Sequence, residues 1–464
     1  MEWQCNLCIF LTINLQRFAR IKAKGKGERD MRNFKKVVAM TLIAASTASL
    51  AACGGGDDNS NGKKKIVLAW WGGDSRHTAT KNAVEKFKAL HSDIEVELQY
   101  NSWDGYEDKM STKFASKTQA DINQINWGWL NSYDKNGDLF LDLSTQKDLD
   151  LTQFDEQYLN QCKVNDKVVA VPVSITGRIF YWNKTVFEQA GITKTPTTFD
   201  ELKAAGQTFK EKLGDDYYPL ALNELDRTIL MVNYLESKYG KEWVTDNKLN
   251  YNEAEVKEGF DFIKELEDNH VIPTIKQLAG DGADSLDKND KWINGKYAGI
   301  FEWDSSAAKF KGALNKDKNF EFVVGDEIQF GAQKGGYTKI SLAFAISQNT
   351  KYPAECAQLL NFLLNEEEGI NEMGLERGTP LSKKATEVLD KAGKLKGDMV
   401  TEANTKVLAD SPFHMDPTFE DQQLKGTTGA YYTTMQDASY GTKSTEDAAK
   451  DLVKAITDVL DANK

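Results

Sequence analysis

Histidine and proline are scarce in this chain, with four of the first and eight of the second among 464 residues. The four histidines have no paired spacing, which argues against a zinc or manganese site, because such sites gather several nitrogen or sulfur ligands at set intervals. Few prolines interrupt regular structure, and no internal repeat is visible. Positive charge is also short. The net charge is -12 and no Lys/Arg run is interleaved with aromatics, so nucleic acid is not expected as a partner. After the N-terminal region no apolar run approaches the roughly 18 residues of a spanning helix. Catalytic signatures are missing too: there is no G-x-S-x-G, no H-E-x-x-H and no phosphate loop, and the glycine-bounded stretch 331–336 lacks the lysine that should follow it. The chain therefore reads as a non-enzyme that needs no cofactor or metal. A carboxylate pair for glycoside hydrolysis among 70 acidic residues is a question of separation in space rather than of counting. Residues 134–138 (DKNGD) imitate a calcium loop, but the glycine is misplaced and Leu139 stands where the sharp turn is required, so they read as a turn.

What the N-terminal region does have is a lipobox. Leu50-Ala51-Ala52-Cys53 ends an apolar run and is followed by three glycines. Arg32, Lys35 and Lys36 form a basic region and 37–44 an apolar core too short to span a bilayer, the layout of a secretory signal. Cleavage would leave Cys53 as a diacylglycerol-bearing, palmitate-type N-terminus, and each buried methylene of its chains adds about 0.8 kcal/mol of anchoring. Met31 reads as the start of translation, with 26–29 (KGER) encoded by a purine-rich ribosome-binding sequence. N-terminal sequencing of a precursor that begins at Met1 would refute this. Residues 54–65 hold nothing apolar and read as a flexible tether. Besides Cys53, only Cys162 and Cys356 remain in the folded part, and they read as two buried thiols.

From Ile66 onward roughly 400 residues remain, which suits two domains better than one core. The run 66–71 (IVLAWW), stopped by Gly72-Gly73, predicts a strand buried on both faces. Ala79, Ala83, Phe87 and Leu90 recur at helical spacing, and Ile94, Val96, Leu98 and Tyr100 alternate with polar residues as in a strand. A helix marked by Tyr106, Met110 and Phe114 and a short strand over 121–126 continue the rhythm, followed by helices over 199–213 and 256–266, a strand over 297–303, and helices over 354–364 and 448–460. Alternation of this kind specifies an α/β fold. The run 168–173 contains Pro172, which removes a ladder donor and suits an edge or a crossing between domains.

The order of these features resembles one family. Trp70-Trp71 in the opening strand, Trp127 after a strand, 167–184 (KVVAVPVSITGRIFYWNK), 187–191 (FEQAG), 299–305 (GIFEWDS) and 369–380 with Glu376-Arg377-Gly378-Thr379-Pro380 together resemble the family 1 extracellular solute-binding proteins of carbohydrate ABC importers, the group of maltose-binding protein. The resemblance implies a type II periplasmic-binding-protein-like fold: two α/β lobes, a hinge of three crossing segments and an interlobe ligand cleft. On this chain it implies an upstream extension and signal over 1–52, a tether over 53–65, a first lobe over 66–172 plus 336–373, and a second over 173–335 plus 374–464. The crossings would lie near Val173, Gly336 and Arg377. It implies a monomer anchored by lipidated Cys53 to the extracellular face of the cytoplasmic membrane, which delivers an oligosaccharide to membrane permease subunits. A peptide or other polar solute is the rival ligand, and surface glycoside hydrolysis the rival activity.

A pyranose offers apolar C–H faces and hydroxyls, so its site wants aromatic platforms with carboxylates, amides and arginines at the rim, on loops after sheet strands. Trp303 is the first candidate, because family members commonly carry a sugar-stacking tryptophan there; its neighbours Glu302 and Asp304 follow. Without the resemblance, a tryptophan in an apolar run would read as core. Asp74, Arg76 and His77 lie in the loop after the first strand, where Arg76 could offer a planar fork to hydroxyls and Asp74 could simply cap the helix. Trp127 is preferred to Trp129. Arg178 and Arg377 flank proposed crossings, and Asp226 is a hydroxyl acceptor; an ion pair between lobes is the alternative role for both arginines.

Overall fold

The computed structural model describes residues 62–462, with 104, 283 and 284 excepted. The lipobox, Cys53 and the segment around Met31 lie outside the described residues. Eight strands form one sheet: β1 (Lys64–Trp71), β2 (Ile94–Asn101), β3 (Ile122–Ile125), β4 (Val171–Asn183), β5 (Gly299–Trp303), β6 (Phe322–Val324), β7 (Tyr337–Ile346) and β8 (Phe413–His414). Among the helices are α1 (Asp74–Leu90), α2 (Tyr106–Ala115), α3 (Phe199–Leu213), α4 (Glu224–Tyr239), α5 (Glu253–Asp268), α6 (Pro353–Asn365), α7 (Glu367–Met373), α8 (Met399–Asp410), α9 (Ala430–Tyr440) and α10 (Thr445–Ala462). Helices α3, α4 and α5 each start at a capping box whose N-caps are Thr198, Asn223 and Asn252. Those side chains satisfy the free N–H groups of the first turn and so fix where each helix begins.

The sheet runs β6-β4-β7-β3-β1-β2, with β5 also on β4 and β8 on β7. β1 pairs in parallel with β2 and β3, and Ile66, Leu68 and Trp70 are fully buried, as a two-faced strand requires. Pairing starts at Lys64, two residues inside the stretch expected to be tether.

β4 is the unusual element. All 13 of its residues are buried. Its first half pairs antiparallel with β7, from Val171 opposite Phe344 to Gly177 opposite Thr338, and its second half pairs with β5 and β6. Pro172 is tolerated because the β7 register slips there, between Leu342 and Ala343, so one ladder donor fewer is needed.

Apolar packing follows the same division. Ile66, Leu68, Phe87, Val171, Phe344 and Leu360 share one core, and Phe180, Trp182, Leu230, Phe260, Phe301 and Ile456 share another. Between them the chain passes through β4 and β7. Residues 374–391, expected with the second lobe, behave differently: Ile370 of α7 clusters with Ala385, Val388 and Leu389, and Leu381 packs against the first core. Helix α8 then joins the second side, where Ala403 and Val407 cluster with Tyr181 and Phe310. Cys162 and Cys356 are both free and buried, and burial pushes the Cys356 thiol up to about 12. Residues 134–138 form a turn closed by the Asp134 carboxylate, which accepts from Leu139 N at 2.8 Å. No described helix is long and apolar enough to cross a membrane, and no group of three or more described His, Cys, Asp or Glu is placed to hold a metal ion.

Candidate functional site

The C-terminal ends of β1, β2 and β3 lie side by side, the position at which open α/β sheets bind ligands. The aromatic residues there form a continuous platform. Trp71 ends β1 and lies 5.1 Å from Trp103, 5.5 Å from Tyr106 and 5.5 Å from Trp129, measured between ring centroids. Trp129 is buried, with its indole N–H given to Glu107 at 2.7 Å, whereas Trp103 is 40% exposed on the loop after β2. Trp103, held by Trp71 and Trp129 yet open on one side, is a stacking surface.

Elsewhere in the sheet, β4, β5 and β7 bring charged residues together inside the protein. Arg178 and Trp303 are direct partners in the β4–β5 ladder, so their side chains share a face. The Arg178 guanidinium sits 4.4 Å from the Trp303 ring centroid and the Lys339 ammonium 4.7 Å from it. Trp303 is half-buried, while Arg178 and Lys339 are 6% and 5% exposed. Arg178 donates to Asp226 Oδ1 at 2.7 Å and to the Phe301 carbonyl at 2.8 Å, and Glu302 Oε1 is 3.5 Å away. Burial opposes the charge of Arg178, but Glu302 and Asp226 together raise its pKa. Burial lifts Asp226 to about 6 against the pull of Arg178.

Lys339 donates to Glu420, a 6% exposed carboxylate that also accepts from Lys425 and, at 3.4 Å, from Asn126 Nδ2. Burial works against the charge on Glu420, yet Lys339 and Lys425 hold its carboxyl well below the usual range. Lys339 is lowered to about 8 by burial, with Glu420 opposing. Asn126 follows β3 and belongs to the first core's side, so Glu420 ties the two sides together. Gly128 permits this approach: a Cβ there would lie 2.5 Å from Glu420 Cβ. Gly128→Ala is expected to push the loop away from Glu420 and lower stability by about 1–3 kcal/mol, as overpacking does, read from the urea midpoint.

The residues expected from sequence divide into two groups. Trp303, Arg178, Asp226 and Glu302 converge in this charged cluster. The others lie outside it. Trp127 is buried and gives its indole N–H to the Gln161 carbonyl at 2.7 Å; the chain is not extended at 127–129 but curls, because Asn126 Oδ1 accepts from Gly128 N at 3.1 Å. Arg377 is buried with its guanidinium on Gln124 at 2.8 Å and Thr80 at 3.0 Å, over the Phe344 ring. Burial first, then Arg76, pulls its pKa well down. Arg76 donates to the carbonyls of Glu376 at 2.7 Å and Trp71 at 3.2 Å, fixing the 376 turn to β1. Asp74 is exposed in the first turn of α1, whose N-cap is Gly73 with no side-chain cap. His77 accepts from Trp70 Nε1 at 3.0 Å and packs 4.6 Å from the Tyr100 ring.

Asp304 is a buried acceptor for Thr176, for Asn404 Nδ2 at 2.6 Å and for Ser305 N at 2.7 Å. Burial nonetheless raises its pKa to about 6. An acid whose folded pKa lies above its unfolded value of 3.8 contributes stability below about pH 4 that is lost as pH rises through 6, because the folded state then binds more protons than the unfolded one. Asp304→Asn is therefore expected to flatten the fall in the urea midpoint across that window.

Sequence reasoning missed Lys339, Glu420, Lys425, Asn126 and Trp103. Two of these carried a signal. Lys339 interrupts the apolar strand YTKISLAFAI, and Trp103 follows an alternating strand in NSWDGY. Glu420 and Lys425 lie in a short 3-10 turn and a four-residue helix with nothing local to mark them.

Known proteins share this fold. A periplasmic solute-binding protein from Pectobacterium atrosepticum is 34% identical over 86% of this chain and 99% of its own, with a TM-score of 0.81. A periplasmic oligogalacturonide-binding protein from Yersinia enterocolitica, solved with saturated digalacturonic acid, is 35% identical over the same shares, with a TM-score of 0.80. A Brucella abortus binding protein is 29% identical over 157 residues, 34% of this chain and 38% of that one, so the chain spans about two fifths of the curated relatives it matches first. The bacterial extracellular solute-binding protein pattern matches residues 72–370. With that span and the full-length likeness to the Pectobacterium and Yersinia proteins, the chain belongs to the bacterial extracellular solute-binding proteins.

Proposed function

We propose that this protein captures an oligosaccharide between its two lobes and delivers it to the permease subunits of an ABC importer, anchored to the outer face of the cytoplasmic membrane through lipidated Cys53. The preferred ligand is acidic, an oligogalacturonide or a similar chain of uronic acids. The observation that carries the reading is Trp303, an aromatic face set between the buried cations Arg178 and Lys339. An aromatic platform suits a sugar ring, and fixed cations beside it suit a carboxylate on that ring. The Yersinia relative, 35% identical and solved with digalacturonic acid, supports the same ligand class. Trp103 and Trp71 would stack a second ring from the facing side.

The hinge in this reading uses β4 and β7 as two crossings. The third falls between 391 and 399 rather than near Arg377, because residues 385–389 cluster with Ile370 while α8 packs on β4 of the second side. Bending is easiest where the β4–β7 ladder already slips.

Thermal unfolding against digalacturonic acid, neutral disaccharides and short peptides tests the proposal. Digalacturonic acid at about 100 times its Kd should add about 2.7 kcal/mol of stability. A response to peptides alone would overturn the ligand class, and release of shorter sugars over time would establish hydrolysis instead of capture.

A further inference from the structure

Three elements aim their donors at one carboxylate. Lys339 of β7 reaches Glu420 Oε1, Lys425 of the short helix Gln422–Lys425 reaches Oε2, and Asn126 after β3 reaches the same Oε2 from the side of the first core. Two ammonium groups and an amide converging on a single pair of oxygens make an anion-binding site already filled by a side chain. We propose that Lys339, Lys425 and Asn126 form the subsite for a ligand carboxylate, and that Glu420 is its resident occupant, displaced when an acidic sugar binds. The inference rests on the acidic-sugar reading of the ligand and adds to it a mechanism of selection.

Position supports it. Lys339 touches the Trp303 ring on one side and Glu420 on the other. A uronic acid ring lying on Trp303 carries its carboxylate one bond outside the ring, toward that ammonium. Two buried polar atoms near this place have no protein partner, Nε of Arg178 and the hydroxyl of Tyr337. Both point to a ligand with more oxygens than Glu420 provides, since buried polar groups are ordinarily paired.

Charge supports it as well. Lys339, Lys425 and Arg178 face Glu420, Asp226 and Glu302, three cations against three carboxylates. Exchanging Glu420 for a ligand carboxylate preserves that balance. A neutral sugar that displaced Glu420 would leave Lys339 buried and uncompensated, which is strongly unfavourable. Glu420 thus acts as a filter, admitting ligands that bring their own charge. Its mounting allows movement, because it ends the 3-10 turn Pro417–Glu420 instead of lying within a long helix or a central strand. Displacement also severs the Asn126 bond between the lobes, so ligand entry and lobe motion are coupled.

Calorimetric titration of the full-length chain with digalacturonic acid and with its fully methyl-esterified, neutral form tests this, using the wild type, Glu420→Gln and Lys425→Met. Removing an internal competitor raises the fraction of open subsite, so Glu420→Gln should bind digalacturonic acid about ten-fold more tightly or better. Lys425, whose side chain is 24% exposed, can be replaced without opening the core, and Lys425→Met should weaken the acid about ten-fold, while the ester should bind the wild type at least about ten-fold more weakly than the acid does. Cooperative thermal unfolding verifies that each variant is folded. Glu420→Gln binding the acid no more tightly than wild type, or Lys425→Met binding it equally well, overturns the inference while the acidic-sugar reading stands. Wild type that binds no digalacturonic acid overturns both.

Discussion

Trp303→Ala is expected to weaken binding of digalacturonic acid by about 10- to 100-fold while the protein stays folded. The tryptophan supplies a stacking face, and Arg178 and Lys339 lie at 4.4 and 4.7 Å from its ring. Stacking and cation–π contacts of this kind contribute about 0.5–2 kcal/mol each when desolvated. Truncation removes both and lets water reach the two cations, which lowers their pull on a ligand carboxylate. Trp303 is only partly buried, so the loss should appear in affinity far more than in the thermal midpoint. Calorimetric titration beside a melting curve separates the two, and unchanged affinity would remove Trp303 from the site.

The largest loss of stability is expected at Arg227, the residue after Asp226 on α4. Arg227→Met should destabilise the protein by about 3–5 kcal/mol, the range for breaking one partner out of a buried ion pair. Arg227 lies on α4, is fully buried, and donates to Glu267 of α5, to the Leu222 carbonyl at 3.0 Å and to the Pro273 carbonyl. Glu267 also accepts from Ser439 of α9, so three helices meet at one carboxylate. Methionine fills the volume but satisfies none of those acceptors. The check is a lowered urea midpoint with an unchanged slope, and ligand affinity retained in the folded fraction.

Where a pattern is local, the sequence carried the structure. The periodic segment 199–213 is helix α3 to the residue, because its capping box and its apolar spacing agree. The opening run became β1 for a similar reason, since an unbroken apolar stretch can be satisfied only where both faces are covered. Strand 121–126 was found, but the tryptophans beyond it were misplaced: a single acceptor, Asn126 Oδ1, turns the chain before Trp127 can face outward. Half of the site was legible for its position in a family pattern, with Arg178 and Trp303 meeting as ladder partners. The other half was not, because Glu420 matters only through Lys339 and Asn126, which lie far from it in the chain and are brought close by the sheet. Arg377 was expected at a crossing for its place in the family pattern, and the polar partners that hold it inside, Gln124 and Thr80, lie far from it in the chain.

The β3–β7 pairing has a consequence for how the chain folds in time. Ile125 is the ladder partner of Ala343, more than two hundred residues later. Until that later segment has emerged, β3 keeps a bare edge and the sheet cannot join β1 and β2 to the rest, however much of the chain has already been synthesised. Folding that waits on so distant a contact is slow. The nascent chain thus stays open along β3 for longer than a protein with local pairings would.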